Sequence, residues 1–193
     1  LIDSYTALNL STPQGRVFDT ALYHMFLSPY LHSDADGRFN GPDQLVHHSD
    51  DEFYTFLSTW DTYRAWGPLM CKIAPDIMRG IVRTSIMHYD ITGTFPRWTY
   101  AGRETNCMPG MHSITLCYQA VAHGLISSSL THTLYEAFKR TIEARSAFTT
   151  TRRVNAELRK IVDNDGLLFA NEGDTQTISQ MLEYAIIFAC VAK

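Results

Sequence analysis

The run from Trp60 to Arg64 places an aromatic ring, a carboxylate and a guanidinium within about one helical turn. These groups suit a sugar, because the apolar C–H face of a pyranose stacks on an indole ring while its hydroxyls pair with carboxylate and guanidinium groups. The same residues would also fit a helix whose Trp60 faces the core beside a surface ion pair between Asp61 and Arg64. The residue types alone favour this second, structural interpretation.

A second polar group lies in the segment from Gly102 to Cys107, within a loop that spans residues 93–110. Its Glu104 could accept sugar hydroxyls, bind calcium, or act as a general acid or base, depending on how deeply the carboxylate is buried. A solvated surface loop is the alternative. The loop is longer than connections in compact domains usually are and is rich in aromatic residues, so we expect it to fold over another part of the molecule.

Two further polar groups are weaker candidates for a metal site. The run from Asp34 to Arg38 is similar to the start of an EF-hand loop, but the twelfth position of that loop would be Leu45, where the site requires glutamate. A turn built from aspartate side chains and a glycine is therefore predicted. His47 and His48 are adjacent, so their side chains point in different directions and do not form a ligand set by themselves. No metal-binding residue is predicted in the chain.

Length and composition limit the remaining possibilities. The 193 residues, of which 45% are hydrophobic, are enough to bury one core, so a single domain is expected. The net charge of -4 provides no basic surface, which argues against nucleic acid as a partner. The longest apolar stretch, residues 184–192, is much shorter than the roughly 20 residues that span a bilayer, so no membrane partner is expected. The four cysteines form no Cys-x-x-Cys pair and are predicted to be buried free thiols.

The elements that must position these groups are predicted to be helices. Apolar residues recur at helical spacing over most of the chain, and no run of four or more residues keeps a period of two, which indicates an all-α fold. The first helix is expected to begin near Asp50, to have Phe53, Phe56 and Trp60 on one face, and to kink or end at Gly67 and Pro68. Further helices are expected over residues 75–92, 112–123 and 130–148.

A last helix is expected after Asp174, where Thr177 and Gln180 have the spacing of a capping box. The apolar residues expected to form the buried stripe of this last helix are Ile178, Met181, Leu182 and Ala185. Helical hairpins joined by long loops, as predicted for the whole chain, are typical of an α/α toroid.

Taken in order, three segments of the chain resemble the catalytic domain of glycoside hydrolase family 92. They are Asp34 to Phe39, Phe56 to Ala65, and Phe95 to Met108. The similarity continues through Gly110 and His112 and returns at Ser179 to Ala185, so it covers roughly residues 17–125 well and the C-terminal part more loosely.

The resemblance implies a calcium-dependent exo-α-mannosidase that removes terminal mannose from glycans with inversion of anomeric configuration. The family combines an N-terminal β-sandwich with an (α/α)6 barrel. The chain would then be an all-α part of an (α/α)6 toroid built from helical hairpins, and residues 1–193 would form one incomplete catalytic domain. The expected partners are a mannose-containing glycan and the remainder of the parent enzyme, and the family favours a secreted or extracytoplasmic location.

The resemblance also assigns residues. Trp60 and Asp61 match the pair that lies in the subsite for the terminal mannose, while Glu104 and Asn106 match residues that line the same region. Arg64 is included as a hydroxyl contact or its support. The general acid and base of the family lie in a Gly-Asn-Glu-Pro segment and in an Asp-rich Gly-Gln-Met segment, and this chain contains neither. The catalytic acids and the calcium ligands are therefore expected outside this chain, which alone is expected to be inactive.

The chain departs from the family pattern in two places. Arg103 stands where the family commonly has asparagine, and residues 186–189 are Ile-Ile-Phe-Ala where it usually has Tyr-Asp-Asp-Trp. The alternative function is therefore a non-catalytic carbohydrate-binding or structural helical module derived from such an enzyme. A different (α/α)6 hydrolase would explain the helices but not the Trp-Asp motif at residues 60–61 or the Glu-Thr-Asn motif at residues 104–106.

Overall fold

A computed structural model describes residues 12–55, 57–143, 160–167, 169 and 176–193. The helices are α1 (Pro13–Met25), α2 (Thr59–Thr62), α3 (Trp66–Ile73), α4 (Pro75–Thr92), α5 (Ser113–Ala122), α6 (Ser128–Glu143) and α7 (Thr177–Val191). Residues 160–163 are also helical. The strands are β1 (Tyr30–Leu31), β2 (Arg38–Asn40), β3 (Val46–His48), β4 (Tyr54–Thr55), β5 (Leu57–Ser58), β6 (Trp98–Tyr100) and β7 (Arg103–Glu104).

The strands form three small antiparallel sheets. Strand β1 pairs with β4, β2 pairs with β3, and β5, β6 and β7 follow one another in a three-stranded sheet. A mainly helical chain is thus confirmed, but the all-α prediction overlooked these strands. Each of them is two or three residues long, which is too short to produce an alternating pattern that a sequence window could detect.

The helix predicted to begin near Asp50 is wrong over most of its length. Gly67 and Pro68, expected to kink or end the helix, lie instead in the first turn of α3. Residues 54–55 and 57–58 are strands β4 and β5, and helical structure begins only at α2. Distant partners decide this conformation, because the backbone N–H of Tyr54 donates to Thr84 Oγ1 of α4 over 3.0 Å. Phe56, which the prediction placed on the helix face, lies outside the described residues.

The other predicted helices are present in the described ranges. Helix α4 begins with Pro75 in its first turn and ends at Gly93, whose φ of 78° suits a residue without a side chain. Helix α6 covers the expected segment as far as Glu143, and the predicted continuation to Phe148 lies outside the described residues. Helix α1 is an addition to the predicted elements, and Thr12 caps it by accepting a hydrogen bond from the backbone of Gly15.

Helix α7 is present, but the stripe predicted to face its core is wrong. Ile178 and Leu182 are 79% and 64% exposed, and Ala185 is exposed as well. Thr177 belongs to the helix, whose N-cap is Gln176 and has no side-chain capping bond, so the predicted capping box is not formed. The buried face consists of Thr177, Gln180, Glu183, Tyr184 and Ile187. Two polar groups of this face have distant partners: Glu183 accepts hydrogen bonds from Trp60, Tyr63 and Arg64, and the Tyr184 hydroxyl accepts one from Arg97.

Two hydrophobic clusters form the core. The first joins α4, α5, α6 and α7, and the second joins α3 and α4 to the strand before α2. Buried members of the first cluster are Val82, Phe95, Met111, Ile114, Cys117, Ala120, Leu134, Ala137, Phe138, Ile161, Tyr184 and Ile187. Buried members of the second are Leu57, Tyr63, Met70, Cys71, Ala74, Met78, Ile81 and Leu116.

The cysteines are free thiols, as predicted, but they are not all buried. Cys71 and Cys117 are buried, Cys190 is half-buried and Cys107 is exposed. Burial raises the pKa of the Cys117 thiol to about 12, so it stays protonated. Among the described residues, no helix is both long and apolar enough to cross a membrane.

Candidate functional site

The three-stranded sheet brings the two strongest sequence motifs together. Strand β5 leads directly into α2, which carries Trp60 and Asp61, and its Ser58 is paired with Trp98 of β6. Strand β6 is in turn paired with β7, which contains Glu104. The sequence suggested each motif separately, whereas the strand pairing makes them neighbours.

The carboxylate of Glu183, on α7, lies beside several hydrogen-bond donors. Trp60 Nε1 donates to Glu183 Oε1 over 3.1 Å, and Arg64 Nη2 donates to the same oxygen over 2.8 Å. The Tyr63 hydroxyl donates to Glu183 Oε2 over 2.8 Å, and His112 Nε2 lies 2.7 Å from that oxygen. Glu183 is only 7% exposed, so these four groups replace the water that would otherwise solvate its charge.

The two side chains beside Glu183 Oε2, Tyr63 and His112, are packed against each other. The rings of Tyr63 and His112 are stacked with centroids 3.8 Å apart and an angle of 2° between their planes. Burial is the largest cause that lowers the pKa of His112 to about 4. The charges of Arg64 and Arg97 act in the same direction, and Glu183 opposes them. The imidazole is therefore neutral at pH 7, with Nδ1 3.2 Å from the hydroxyl oxygen of Thr115.

Glu183 itself is held in the ionised form. Burial opposes its charge, but hydrogen bonds from Tyr63 and Trp60 and the charge of Arg64 outweigh this effect and hold the pKa of the carboxyl below its ordinary value. Burial and the neighbouring Glu183 raise the pKa of Tyr63 to about 12, so the phenol keeps its proton. Glu183 is thus an acceptor of hydrogen bonds and not a proton donor.

Glu104 is a second buried carboxylate and is 6% exposed. Its Oε2 accepts from the backbone N–H of Arg97 over 2.6 Å. Its Oε1 accepts from the backbone N–H of Trp98 over 3.2 Å and from that of Asn106 over 2.8 Å. Glu104 therefore holds the β6–β7 hairpin together and fixes Asn106, whose φ is 54°. The expectation that this loop folds over other residues is confirmed, since Phe95 and Arg97 are buried as well.

Asp61 and Arg64 are the exposed members of the site. Asp61 accepts a short hydrogen bond from Ser58 Oγ. The Arg64 side chain is 60% exposed and, within the described part of the chain, forms its ion pair with Glu183 instead of the Asp61 partner that the structural interpretation expected. Trp60 is half-buried. These side chains form the solvent-facing edge of the cluster.

The two departures from the family pattern have separate structural consequences. Arg103 is exposed on β7 and hydrogen-bonds to Gln44, whereas Glu104 beside it is buried on the other side of the strand. Ile187 is fully buried in the first core cluster, and Ile186 is partly buried against the second. Arg103 therefore changes the surface of the hairpin, while Ile187 contributes apolar packing.

Of the two weaker candidates, the first forms the predicted turn. The run from Asp34 to Arg38 is a turn in which the backbone N–H of Gly37 donates to Asp34 O over 2.9 Å, and Asp36 binds the Arg38 side chain. His47 pairs with Asp43 at 2.9 Å and is not joined by His48, which is exposed.

Acids of this turn and of residues 50–52 line a cavity of about 520 Å³, but two of them are already paired with arginines. In the ranges that the structure describes, no three His, Cys, Asp or Glu side chains are arranged to hold a metal ion.

Sequence reasoning missed the residues at the centre of the cluster. Glu183 and His112 attracted attention only because they lie in segments that resemble the family. Tyr63 did so only because it lies in the run from Trp60 to Arg64. One signal was available, because an acid between Leu182 and Tyr184 in an otherwise apolar helix requires buried donors if it faces the core. The donors themselves are far away in the sequence.

The hairpin that carries Glu104 depends on a close backbone approach at Gly102. Gly102 has a φ of 77°, and an added Cβ would lie 2.5 Å from the carbonyl oxygen of Asn40. Gly102→Ala is therefore expected to lower the free energy of unfolding by about 2 kcal/mol or more, measured by urea denaturation. Gly124→Ala is the matched control, because its φ is 69° but no described atom lies within 4 Å of the added Cβ. Equal losses of unfolding free energy in the two variants would show that the close approach to Asn40 does not add to the cost of the substitution.

Comparison with known proteins gives consistent results. A model of the glycosyl hydrolase family 92 catalytic domain matches residues 6–193. Among solved structures, the family GH92 α-mannosidase BT3965 from Bacteroides thetaiotaomicron in complex with mannoimidazole is similar with a TM-score of 0.74 and 26% identity, over 93% of this chain and 22% of that one. The family GH92 inverting mannosidase BT2199 from Bacteroides thetaiotaomicron VPI-5482 is similar with a TM-score of 0.75 and 26% identity, over 93% and 24%. The chain thus spans less than a quarter of these relatives. No curated protein matches it significantly.

Proposed function

The chain belongs to glycosyl hydrolase family 92, and we propose that it forms part of a glycosidase that removes terminal α-linked mannose from glycans. The family match over residues 6–193 carries this proposal. We further propose that the helices belong to an (α/α)6 toroid completed by the remainder of the parent enzyme, and that the reaction inverts the anomeric configuration. The description of one similar structure as an inverting mannosidase supports the last point.

The exposed edge of the Glu183 cluster is the proposed sugar-binding surface. Trp60 would stack on the apolar face of the mannose ring, and Asp61 and Arg64 would bind its hydroxyls as acceptor and donor. Glu104 and Asn106 would complete this surface from the hairpin. Because both oxygens of Glu104 already accept backbone hydrogen bonds, its role in this proposal is to hold Asn106 and the hairpin in place.

The chemistry of the proposed reaction requires carboxyl groups beyond these. Inverting hydrolysis uses a protonated carboxyl and a carboxylate about 6.5–9.5 Å apart, one to protonate the leaving oxygen and the other to activate water. The carboxylate oxygens of Glu183 and Glu104 already accept hydrogen bonds from N–H and O–H groups, so neither residue is suited to be the general acid. We therefore assign the acid and base to the remainder of the parent enzyme.

Calcium is implied by the family and remains an expectation. The described residues do not fit a calcium site, because they include no group of three side chains of the kind that could hold a metal ion. We assign the calcium ligands, like the catalytic acids, to the remainder of the parent enzyme.

The proposal is tested by Asp61→Asn in the full-length protein, assayed by mannose release from an α-linked mannobiose. The exposed side chain makes a folding defect unexpected, while the loss of a charged acceptor should lower kcat/KM by about 10- to 100-fold. Asp76→Asn is the control, because Asp76 is an exposed acid of α4 that pairs with Arg79 outside this surface. An unchanged kcat/KM would remove Asp61 from the site, and a wild-type protein that releases no mannose would favour the non-catalytic module.

A further inference from the structure

We propose that Glu183 is a positioning residue for sugar recognition, whose carboxylate fixes the Trp60 indole and the Arg64 guanidinium side by side at the surface. This inference rests on the proposed function, because it takes these two side chains to be the sugar-binding surface. It adds a residue from α7 that contacts no substrate itself and acts through the two side chains that do.

The two oxygens of Glu183 have different surroundings. Oε1 receives the two donors that reach the surface, the Trp60 N–H at 3.1 Å and the Arg64 Nη2 at 2.8 Å. Oε2 receives the Tyr63 hydroxyl at 2.8 Å and faces His112 Nε2 at 2.7 Å, and both of these residues are buried. The buried pair prevents the carboxylate from rotating, so Oε1 presents a fixed acceptor to the surface pair.

Without that acceptor, the surface pair would be free to adopt other conformations. An exposed arginine side chain has many rotamers, and ordering it on binding would weaken affinity. The Arg64 guanidinium also lies over the Tyr63 ring, 4.8 Å from its centroid, so the ion pair and the ring hold it from two directions. A guanidinium has five N–H donors, and pairing Nη2 with Glu183 leaves others to face ring hydroxyls. The arrangement suits a ligand with an apolar ring face beside hydroxyl acceptors.

Glu183→Gln tests the inference in the full-length protein. Glutamine keeps the shape of the side chain but replaces one acceptor oxygen with an N–H₂ group, which repels whichever donors it faces. With an α-linked mannobiose as substrate, we expect KM to rise about ten-fold or more while kcat changes less than two-fold, because binding is lost equally in the ground state and the transition state. Glu136→Gln on the exposed face of α6 is the control and should leave both constants unchanged.

A double-mutant cycle separates positioning from general support of the fold. If Glu183 acts partly through Arg64, Glu183→Gln should raise KM clearly less in an Arg64→Met background than in the wild type, and the effect that is left would be the part that acts through Trp60. A full ten-fold effect in that background would show that Glu183 does not act through Arg64 and would overturn the inference.

The indole N–H signals provide a readout that needs no substrate. In a ¹H–¹⁵N spectrum, Glu183→Gln should move the Trp60 signal upfield, while the Trp66 signal, whose N–H donates to Met25 O, should stay in place. If Glu183→Gln fails to fold, Glu183→Asp keeps the charge but shortens its reach, and it should raise KM and shift the Trp60 signal in the same directions.

The outcomes distinguish this inference from the function on which it rests. Wild-type protein that releases mannose, combined with an unchanged KM or an unshifted Trp60 signal in both Glu183 variants, would overturn the positioning role alone. Wild-type protein that releases no mannose would contradict the proposed function. The Trp60 signal would then still decide whether Glu183 holds the indole.

Discussion

Glu104→Ala is expected to lower the free energy of unfolding by about 3–6 kcal/mol and to disorder the β6–β7 hairpin. The carboxylate accepts hydrogen bonds from three backbone N–H groups, one of them buried and two partly buried, and its removal leaves these donors without acceptors. Each unsatisfied donor costs about 1–3 kcal/mol, less whatever water can recover. Urea denaturation measures the loss, and hydrogen exchange at Trp98 and Asn106 locates it.

The control for this experiment is Glu136→Ala, because the Glu136 side chain is 39% exposed and pairs with Lys139 at 3.7 Å on the same helix. That change should stay within about 0.5 kcal/mol. A loss below about 1 kcal/mol for Glu104→Ala would show that the hairpin does not depend on the carboxylate. In the full-length enzyme, Glu104→Gln should also slow the cleavage of aryl mannosides with activated leaving groups, which the loss of a general acid would largely spare.

The stability of the protein should fall as the pH is lowered from about 6.5 to 4, because burial lowers the pKa of two histidines, His88 and His112. The pKa of His112 is lowered to about 4 in the folded protein, from an ordinary value of 6.5. Between these values the unfolded chain binds a proton that the folded protein does not, so protons favour unfolding. The lowered pKa of Glu183 acts in the same direction at the acid end of this range. The full effect of His112 would be about 3 kcal/mol.

Urea denaturation at several pH values between 7.5 and 4.5 measures this dependence. His112→Gln should make the dependence less steep without abolishing it, because glutamine does not titrate but buried His88 still does. The control His123→Gln changes an exposed residue and should leave the slope as it is. A wild-type protein whose stability is constant over this range would show that His112 is not held neutral by its surroundings.

Sequence patterns predicted those parts of the fold that are set locally. Helix α4 has a proline in its first turn, a broad apolar stripe and a glycine at its end, and all three signals act within a few residues. The turn that contains Gly37 has the same local character. The segment before Trp60 does not, because the hydrogen bond from Tyr54 to α4 and the pairing of β5 with β6 decide its conformation.

The candidate site was predictable only in part for a similar reason. Trp60, Asp61 and Arg64 are close in sequence, so their combination was visible, and the roles assigned to them stay predictions. Glu183 was not visible as their partner, because nothing near it in the sequence indicates which face of α7 would be buried. The apolar residues Ile178 and Leu182 pointed to the wrong face, since the spacing of apolar residues carries no information about distant donors.

The contacts of Glu183 also set an order of events during synthesis. Its bonds to Trp60, Tyr63 and Arg64 span 123, 120 and 119 residues. At roughly 5–20 residues per second, the ribosome would add Glu183 about 6–25 s after these donors. Closing such long loops is also slow compared with forming local helices. In newly made chains, Trp60 and Arg64 would therefore lack the carboxylate to which both donate. The surface that these two side chains form would be among the last parts of this chain to reach its final structure.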